Sequence, residues 1–224
     1  MFENLKDVIS ELNGGNDLGE KITLVGASKT MSVEKINRAV ELGLKVVAEN
    51  KVQEFREKNE LIDKRATQHF IGHLQTNKVK YLVGKVELIH SVDSLHLASE
   101  IDTVAKNRCV AQQILLEVNI GGELSKSGFN PSNVIQSALQ ITAQFNSVKV
   151  VGLMAMLPHS DDENLLADLC RKMRELYDQL KSKGLPFEYL SVGMSNDYKI
   201  AIKNGSNMVR LGRTIFGERN YGGQ

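Results

Sequence analysis

Lys29 has the position in this 224-residue chain that most favours covalent chemistry. It directly follows the apolar run Val25-Gly26-Ala27 and one serine, so its amine is expected at the buried end of a strand. Burial disfavours the charged ammonium and lowers a lysine pKa, and a neutral amine can attack a carbonyl to form an imine. The alternative is a solvated loop lysine, which is the ordinary state of a lysine. Lys126, in the glycine-flanked segment 122–128, is a weaker candidate for the same role.

Two glycine-containing segments near the end of the sequence have the composition of a phosphate site. Each follows an apolar run: Ser195 lies in the first segment, and Gly212, Arg213 and Thr214 form the second. Backbone N–H groups at the start of a helix, together with a hydroxyl group, bind a phosphate dianion. Ordinary turn glycines with a serine cap are the alternative interpretation. Dinucleotide and P-loop sites are excluded, because no G-x-G-x-x-G motif follows a strand and the segment 212–217 is not followed by lysine.

Arg210 lies between two apolar residues, Val209 and Leu211, just before the second of these segments. Successive side chains of a strand point to opposite faces, so the guanidinium is expected on the interior side, near the phosphate segments. A buried arginine needs an acceptor. The unprotonated nitrogen of a phosphate-bearing pyridine ring would supply one, and so would an acidic side chain such as Glu49.

Eight strands that alternate with helices are expected to bring these residues together. The strand-like runs are short, rich in Val, Ile and Leu, and apolar along nearly their whole length, which is typical of parallel strands covered on both faces. The eight runs are 22–27, 45–48, 69–71, 86–89, 114–118, 148–153, 189–192 and 208–211. Three of the intervening helices are expected to begin near Ser32, Pro131 and Asp162.

This alternation predicts a closed (β/α)8 TIM barrel, in the α/β class, formed by one domain over residues 1–224. An open doubly wound sheet is the alternative. An amphipathic segment around residues 2–12 predicts an extra N-terminal helix, which we expect to cap the bottom of the barrel. In such barrels the active site lies at the carboxyl ends of the strands, which places Lys29, Asn50 and His73 on the same rim as the phosphate segments.

The composition is that of an ordinary globular protein, with 42% hydrophobic and 25% charged residues. A net charge of +1 gives no field that would attract nucleic acid or an anionic membrane, and no apolar run approaches the ~20 residues of a membrane span. The two cysteines, Cys109 and Cys170, form no CxxC motif, so neither a disulfide framework nor a metal site is predicted. We therefore expect a cytoplasmic protein, and a monomer because the sequence shows no large exposed apolar stripe.

Seven sequence blocks, taken in their order along the chain, resemble the pyridoxal-phosphate homeostasis proteins (the YggS/PROSC family). These proteins are relatives of the barrel domain of alanine racemase, and the likeness covers nearly the whole chain. The blocks are 25–30 (VGASKT), 49–54 (ENKVQE), 69–78 (HFIGHLQTNK), 125–128 (SKSG), 152–156 (GLMAM), 193–197 (GMSND) and 209–217 (VRLGRTIFG). The resemblance implies an alanine racemase-like barrel, which is fold type III of the pyridoxal-phosphate proteins.

The resemblance also implies a ligand and a set of residues that bind it. It implies that Lys29 holds pyridoxal 5′-phosphate as a Schiff base, that Arg210 meets the ring nitrogen, and that Asn50 lines the cofactor pocket. His73 is expected at the rim without a catalytic role. Lys126, in the segment after the fifth strand, is expected to be a mobile-loop residue.

The phosphate group is implied to bind Ser195, Gly212 and the residue at position 213. Many relatives have serine or threonine at that position, whereas this chain has Arg213, so the hydroxyl contact is lost. The backbone N–H of Arg213, its guanidinium or the hydroxyl of Thr214 is then expected to replace it.

The expected function follows from the arginine. Pyridoxal phosphate is a strong electron sink when its ring nitrogen is protonated, and Arg210, which does not give up its proton, would leave that nitrogen neutral. A racemase also needs a second acid or base on the opposite face, and the tyrosines near the expected mouth, Tyr198 and Tyr221, have no evident partner group. We therefore expect a protein that buffers or delivers pyridoxal phosphate and related B6 vitamers, with no catalytic residue. A regulatory protein that docks onto apo-enzymes, a small racemase and a Schiff-base aldolase remain alternatives.

Overall fold

Eight parallel strands close into a barrel in the computed structural model, which describes residues 3–123 and 126–217. Each strand pairs in parallel with the next one along the chain, and the eighth pairs with the first, so the predicted (β/α)8 barrel is confirmed and the open sheet is excluded. The strands are β1 Thr23–Ala27, β2 Val46–Glu49, β3 Thr67–Phe70, β4 Leu88–Val92, β5 Gln112–Glu117, β6 Val148–Ala155, β7 Tyr189–Val192 and β8 Met208–Leu211.

Helices alternate with the strands and cover the outside of the barrel. They are α1 Glu3–Leu12, α2 Val33–Glu41, α3 Val52–Lys58, the 3-10 helix η1 Thr76–Tyr81, α4 Leu95–Asn107, α5 Val134–Gln144, α6 Glu163–Ser182, α7 Tyr198–Lys203 and α8 Arg213–Phe216. Ser32 and Asp162 cap α2 and α6, as predicted, because their side-chain oxygens accept hydrogen bonds from first-turn N–H groups. Over the part of the chain that the structure describes, no helix is long and apolar enough to cross a membrane.

The extra N-terminal helix α1 is confirmed, but its expected place at the bottom of the barrel is wrong. Its buried residues Leu5 and Val8 pack in one cluster with Val40 of α2 and with Ile215 and Phe216 of α8. This cluster lies on the outer side of the barrel, over the seam between β8 and β1. The reason is that α8 has only four residues and cannot cover that seam alone.

The barrel interior has an apolar floor and a polar upper layer. The floor consists of Val25, Ala48, Leu88, Leu115, Val151, Met154 and Met208. The buried residues His90, Glu117 and Arg210 lie two positions after three of these floor residues, Leu88, Leu115 and Met208. Because strand side chains alternate between faces, these three polar side chains point into the barrel near its carboxyl-end opening, called the mouth below.

Candidate functional site

Lys29 lies at the carboxyl end of β1, where the sequence predicted it, in a turn made of residues 28–30. Its side chain is half-buried. The residue before it, Ser28, is buried and donates its hydroxyl to Glu49 Oε1 at 2.8 Å. The residue after it, Thr30, has a φ of +64° and donates its backbone N–H to Glu54 Oε2 at 2.8 Å. Two carboxylates therefore accept hydrogen bonds from the residues on either side of Lys29, one from the Ser28 hydroxyl and one from the Thr30 backbone.

Lys58 joins these two carboxylates. Its Nζ lies 3.0 Å from Glu49 Oε1 and 2.8 Å from Glu54 Oε2. We call the group of Ser28, Thr30, Glu49, Glu54 and Lys58 the lysine clamp. Burial raises the pKa of Glu49, and the hydrogen bond from Lys58 offsets this only in part. Burial lowers the pKa of Lys58, but the hydrogen bonds to Glu54 and Glu49 outweigh it, so the net direction is upward.

Arg210 is buried inside the barrel, as predicted, but Glu49 is not its partner. Its Nη1 donates to the backbone oxygen of Ser191 at 2.7 Å and to Ser191 Oγ at 2.6 Å, and its Nη2 donates to the backbone oxygen of Ala155 at 2.9 Å. Burial lowers the pKa of Arg210 to about 10, with Asp197 opposing that shift. At neutral pH the guanidinium is still a cation, and it is oriented by three neutral acceptors.

A chain of hydrogen bonds continues from Arg210 across the barrel. Ser191 Oγ lies 3.3 Å from His90 Nδ1, and His90 Nε2 lies 3.0 Å from His69 Nδ1. A guanidinium can only donate, so the Ser191 oxygen accepts from Arg210, and the tautomers of His90 and His69 set the directions of the other two bonds. Burial lowers the pKa of His69 to about 3, and burial with the neighbouring charges lowers that of His90 well below its usual value. Both rings are therefore neutral at physiological pH.

Glu117 adds a carboxyl group to the same layer. It is buried on β5, and burial raises its pKa to about 7, with Asp93 adding to the shift and Arg210 opposing it. The Glu117 carboxyl group thus titrates near neutral pH inside the barrel, where it interacts electrostatically with Arg210. Within residues 3–123 and 126–217, no three His, Cys, Asp or Glu side chains are grouped as metal ligands would be.

The two segments predicted to bind phosphate lie side by side after β7 and β8. Arg213 Nη2 donates to Asn196 Oδ1 at 2.9 Å and so links them. The described hydrogen bonds leave unused the backbone N–H groups of Ser195, Asn196, Arg213 and Thr214. A Cβ on Gly212 would lie 3.4 Å from the backbone oxygen of Ala27, which places this segment beside the strand that carries Lys29. Four unused amides beside Lys29 suit an anion with several oxygens. We call these amides and the adjoining hydroxyls the amide cradle.

Asn50 lies on the other side of Lys29, at the carboxyl end of β2. Its Oδ1 is buried and has no hydrogen-bond partner among the described residues, so the structure leaves a polar atom for a ligand to satisfy. A Cβ on Gly72 would lie 1.9 Å from the backbone oxygen of Asn50, so the close approach of the two segments requires glycine. His73 is exposed on the rim, 3.6 Å from Asp93.

Three further predictions can be compared with the structure. Lys126 forms an ion pair with Glu123 and donates to the backbone oxygen of Leu157 at 3.4 Å, so its amine is already engaged. Tyr198 is buried outside the barrel, and its hydroxyl lies 3.2 Å from Glu11 of α1. The expectation that Tyr198 lies near the mouth without a partner is therefore wrong, because α7 turns it towards α1. Tyr221 lies outside the described residues.

The binding residues predicted from the sequence do not include Ser191, His90, Glu117, Glu54 or Lys58. A signal for the first three was present, since each lies two residues after an inward-facing position of its strand. No comparable signal existed for the lysine clamp, because its contacts depend on how α3 packs beside the end of β1.

Comparisons with known proteins agree with this arrangement. The sequence model of the family described as "Alanine racemase, N-terminal domain" matches residues 23–220. The chain is 46% identical over 200 residues to the pyridoxal phosphate homeostasis protein of Aquifex aeolicus, which covers 88% of this chain and 87% of that protein. It is 32% identical over 206 residues to the Escherichia coli protein of the same name, covering 90% and 88% of the two chains.

Solved structures give the same result for the fold. The PipY protein of Synechococcus elongatus, solved with PLP bound, superposes with a TM-score of 0.84 at 29% identity over 96% of this chain and 99% of that one. Alanine racemase of Clostridium difficile superposes with a TM-score of 0.80 at 15% identity over 97% of this chain and 57% of that one, a likeness of fold alone. Because the family model and the relatives span most of its length, the chain belongs to the pyridoxal phosphate homeostasis protein family, within the alanine racemase N-terminal domain fold.

Proposed function

We propose that the protein binds pyridoxal 5′-phosphate through a Schiff base on Lys29 and that it stores and delivers this cofactor and related B6 vitamers to apo-enzymes. Family membership and the PLP-bound relative support the choice of ligand. The observation that carries the proposal is the placement of a half-buried lysine beside four backbone amides that no described group uses. An amine and an anion cradle at the same rim suit an aldehyde that also bears a phosphate.

The residues present fit this cofactor. Ser195, Gly212, Arg213 and Thr214 would bind the phosphate group through backbone N–H groups and hydroxyls. When bound, pyridoxal phosphate supplies an aldehyde that a lysine amine takes up reversibly and a ring that withdraws electrons from an attached amino acid. Asn50 supplies a buried amide oxygen that accepts no hydrogen bond from the described residues.

The position of Arg210 favours storage of the cofactor over turnover of amino acids. Its guanidinium is fixed by two backbone oxygens and one hydroxyl, and it can donate a hydrogen bond to a ring nitrogen without transferring a proton. A ring nitrogen that stays unprotonated withdraws electrons less strongly. Ser191 and His90 keep the donor in place while adding no charge to the site.

Tyr198 supports the same conclusion. A racemase needs an acid or base on each face of the substrate, and the Tyr198 hydroxyl is directed to Glu11 on the outside of the barrel. Weak racemase activity is the second candidate function, and Glu117 is the observation that favours it. A carboxyl group with a pKa of about 7 inside the barrel is suited to proton transfer at neutral pH.

Borohydride reduction of the purified protein, followed by intact mass measurement and peptide mapping, tests the proposal. We expect one reduced pyridoxal phosphate per chain, attached at Lys29, and none on the Lys29→Ala variant. The Lys126→Ala variant is the matched control and should keep the label. A label on another lysine, or label retained by Lys29→Ala, would overturn the proposed site. A Schiff-base aldolase would instead be colourless and unlabelled until its carbonyl substrate is added.

Two further measurements separate storage from catalysis. Loaded protein is expected to reactivate an apo-form of a pyridoxal-phosphate enzyme, while a Lys29-linked, borohydride-reduced sample should not. Conversion of an L-amino acid to its D-form, lost in both Lys29→Ala and Glu117→Gln, would establish the racemase instead.

A further inference from the structure

A second concave site lies beside the mouth, between α3 and η1. It is a cavity of about 230 Å³, and no acidic side chain is among the described residues that line it. Its walls carry Lys51 and Arg56 from the α3 side and Lys78 from η1, with His73 and Tyr81 between them. We call it the basic cleft. It shares Asn50 with the predicted cofactor site, and none of its described lining residues belongs to the amide cradle after β7 and β8.

Three cations line the basic cleft. Lys51, Arg56 and Lys78 form no ion pair with an acid in the part of the chain that the structure describes. Acids on the same helix are engaged elsewhere: Glu54 with Lys58 and Thr30, and Glu57 with the amide of Gln53. Three positive charges therefore converge on one concavity, and Glu54, which interacts electrostatically with Lys51, is shared with the lysine clamp.

Tyr81 helps to keep the cations at the cleft. The guanidinium carbon of Arg56 lies 4.4 Å from the centre of the Tyr81 ring, and Lys78 Nζ lies 6.0 Å from it. Stacking on an aromatic face orients a guanidinium while leaving its N–H groups free to donate. Like charges held in a concave surface focus a positive potential, and a bound anion relieves their mutual repulsion.

The charge and the volume of the cleft indicate which class of ligand it can bind. An arginine fork with two lysine ammonium groups matches the oxygens of a phosphate dianion. The volume is below the ~300 Å³ at which pockets for drug-sized ligands begin, so the occupant is small. We propose that the basic cleft is a second, non-covalent binding site for a small phosphomonoester dianion. Because Asn50 lines both sites, an anion in the cleft lies next to the mouth that it would enter or leave.

Titration of the full chain, followed by amide NMR shifts, tests this inference. The probes are inorganic phosphate and pyridoxine 5′-phosphate, which has no aldehyde and cannot form a Schiff base. We expect both probes to shift amide signals of α3 and η1, at positions such as Val52 and Gln75, apart from any shifts in the loops after β7 and β8. Tighter binding of the ester than of inorganic phosphate would support a metabolite as the occupant. Binding of inorganic phosphate alone, or no shift in α3 and η1, would overturn the proposal.

Matched variants keep the test independent of folding and of the Lys29 site. Arg56→Gln with Lys78→Gln should weaken binding at the cleft by about tenfold or more, since each change removes a charge-assisted hydrogen bond. Lys85→Gln with Lys106→Gln removes the same charge from exposed positions that do not line the cleft, and should bind as the parent does. Equal affinity of the two double variants would refute the assignment. Borohydride labelling of Lys29 should be the same in both.

Discussion

The backbone N–H of Thr30 donates to Glu54 Oε2 at 2.8 Å, and this bond holds a residue with a φ of +64° directly after Lys29. A non-glycine residue in the left-handed region carries strain of about 1–3 kcal/mol, which the surrounding contacts must outweigh. Glu54 and Lys58 of α3 supply the contacts that stabilise this conformation of Thr30. The orientation of Lys29 is thus set by a helix that does not contain it.

Breaking this contact should slow the chemistry of Lys29. Glu54→Ala is expected to lower the rate at which Lys29 captures pyridoxal phosphate by about tenfold, because it removes a hydrogen bond to a charged group. The rate is followed by the absorbance of the imine. Glu54→Gln keeps an acceptor oxygen and should restore most of the rate. Glu57→Ala, on the same helix but bonded only to Gln53, is the control, and an unchanged rate in Glu54→Ala would refute the role of the lysine clamp.

The two buried histidines should make stability depend on pH. In the folded protein the pKa of His69 is about 3 and that of His90 lies well below 6.5, so the contribution of both to stability is complete above pH 6.5 and decreases as the pH falls below it. Between pH 6.5 and pH 5, His69 is expected to lower the free energy of unfolding by about 2 kcal/mol, and His90 acts in the same direction. The free energy of unfolding of His90→Gln, measured with urea, should depend less steeply on pH than that of the parent. The difference in slope should correspond to about one bound proton. The exposed His96→Gln is the control, and an identical slope in both variants would exclude this coupling.

Glu117 should act in the opposite direction. Its pKa is raised from 4.5 to about 7, so its contribution to stability is present below pH 4.5 and is lost as the pH rises through 7. Relative to Glu117→Gln, the parent protein is expected to lose about 3 kcal/mol between pH 4 and pH 8. Unfolding curves of the two proteins at each pH measure this difference. The exposed Glu175→Gln should track the parent throughout, and a Glu117→Gln variant that also tracks it would show that the carboxyl group ionises normally.

The amide cradle predicts a hydroxyl contact to phosphate. Thr214→Val is expected to raise the dissociation constant for pyridoxal phosphate by about tenfold, because it removes a hydroxyl donor to a charged group, while Thr214→Ser should retain binding. Absorbance titrations supply the measurement. Pyridoxal, which lacks the phosphate, should bind the parent and Thr214→Val equally. A similar loss for pyridoxal would show that Thr214 acts on something other than the phosphate.

Local sequence patterns were sufficient to predict the strands and helices and the polar residues that follow the strand ends. The predicted bounds of β7 and β8 agree with the structure, and Ser32 and Asp162 begin their helices as predicted, since strand patterns and caps depend on near neighbours. The helix expected at Pro131 begins at Val134 instead. The cause is also local: a side-chain oxygen of the preceding asparagine accepts from the N–H of Ser132 and forms a turn first.

The sequence by itself determined which residue types stand at the ends of the strands: a lysine after β1, an asparagine after β2, glycines and hydroxyls after β7 and β8. Only the tertiary structure decided their partners. Arg210 donates to Ser191 and Ala155 rather than to Glu49, and Ser191 links it to two histidines, because closing the barrel brings β3, β4, β6, β7 and β8 around one interior layer. A strand pattern specifies which face a side chain occupies, but contacts between residues over a hundred positions apart exist only once the sheet has closed.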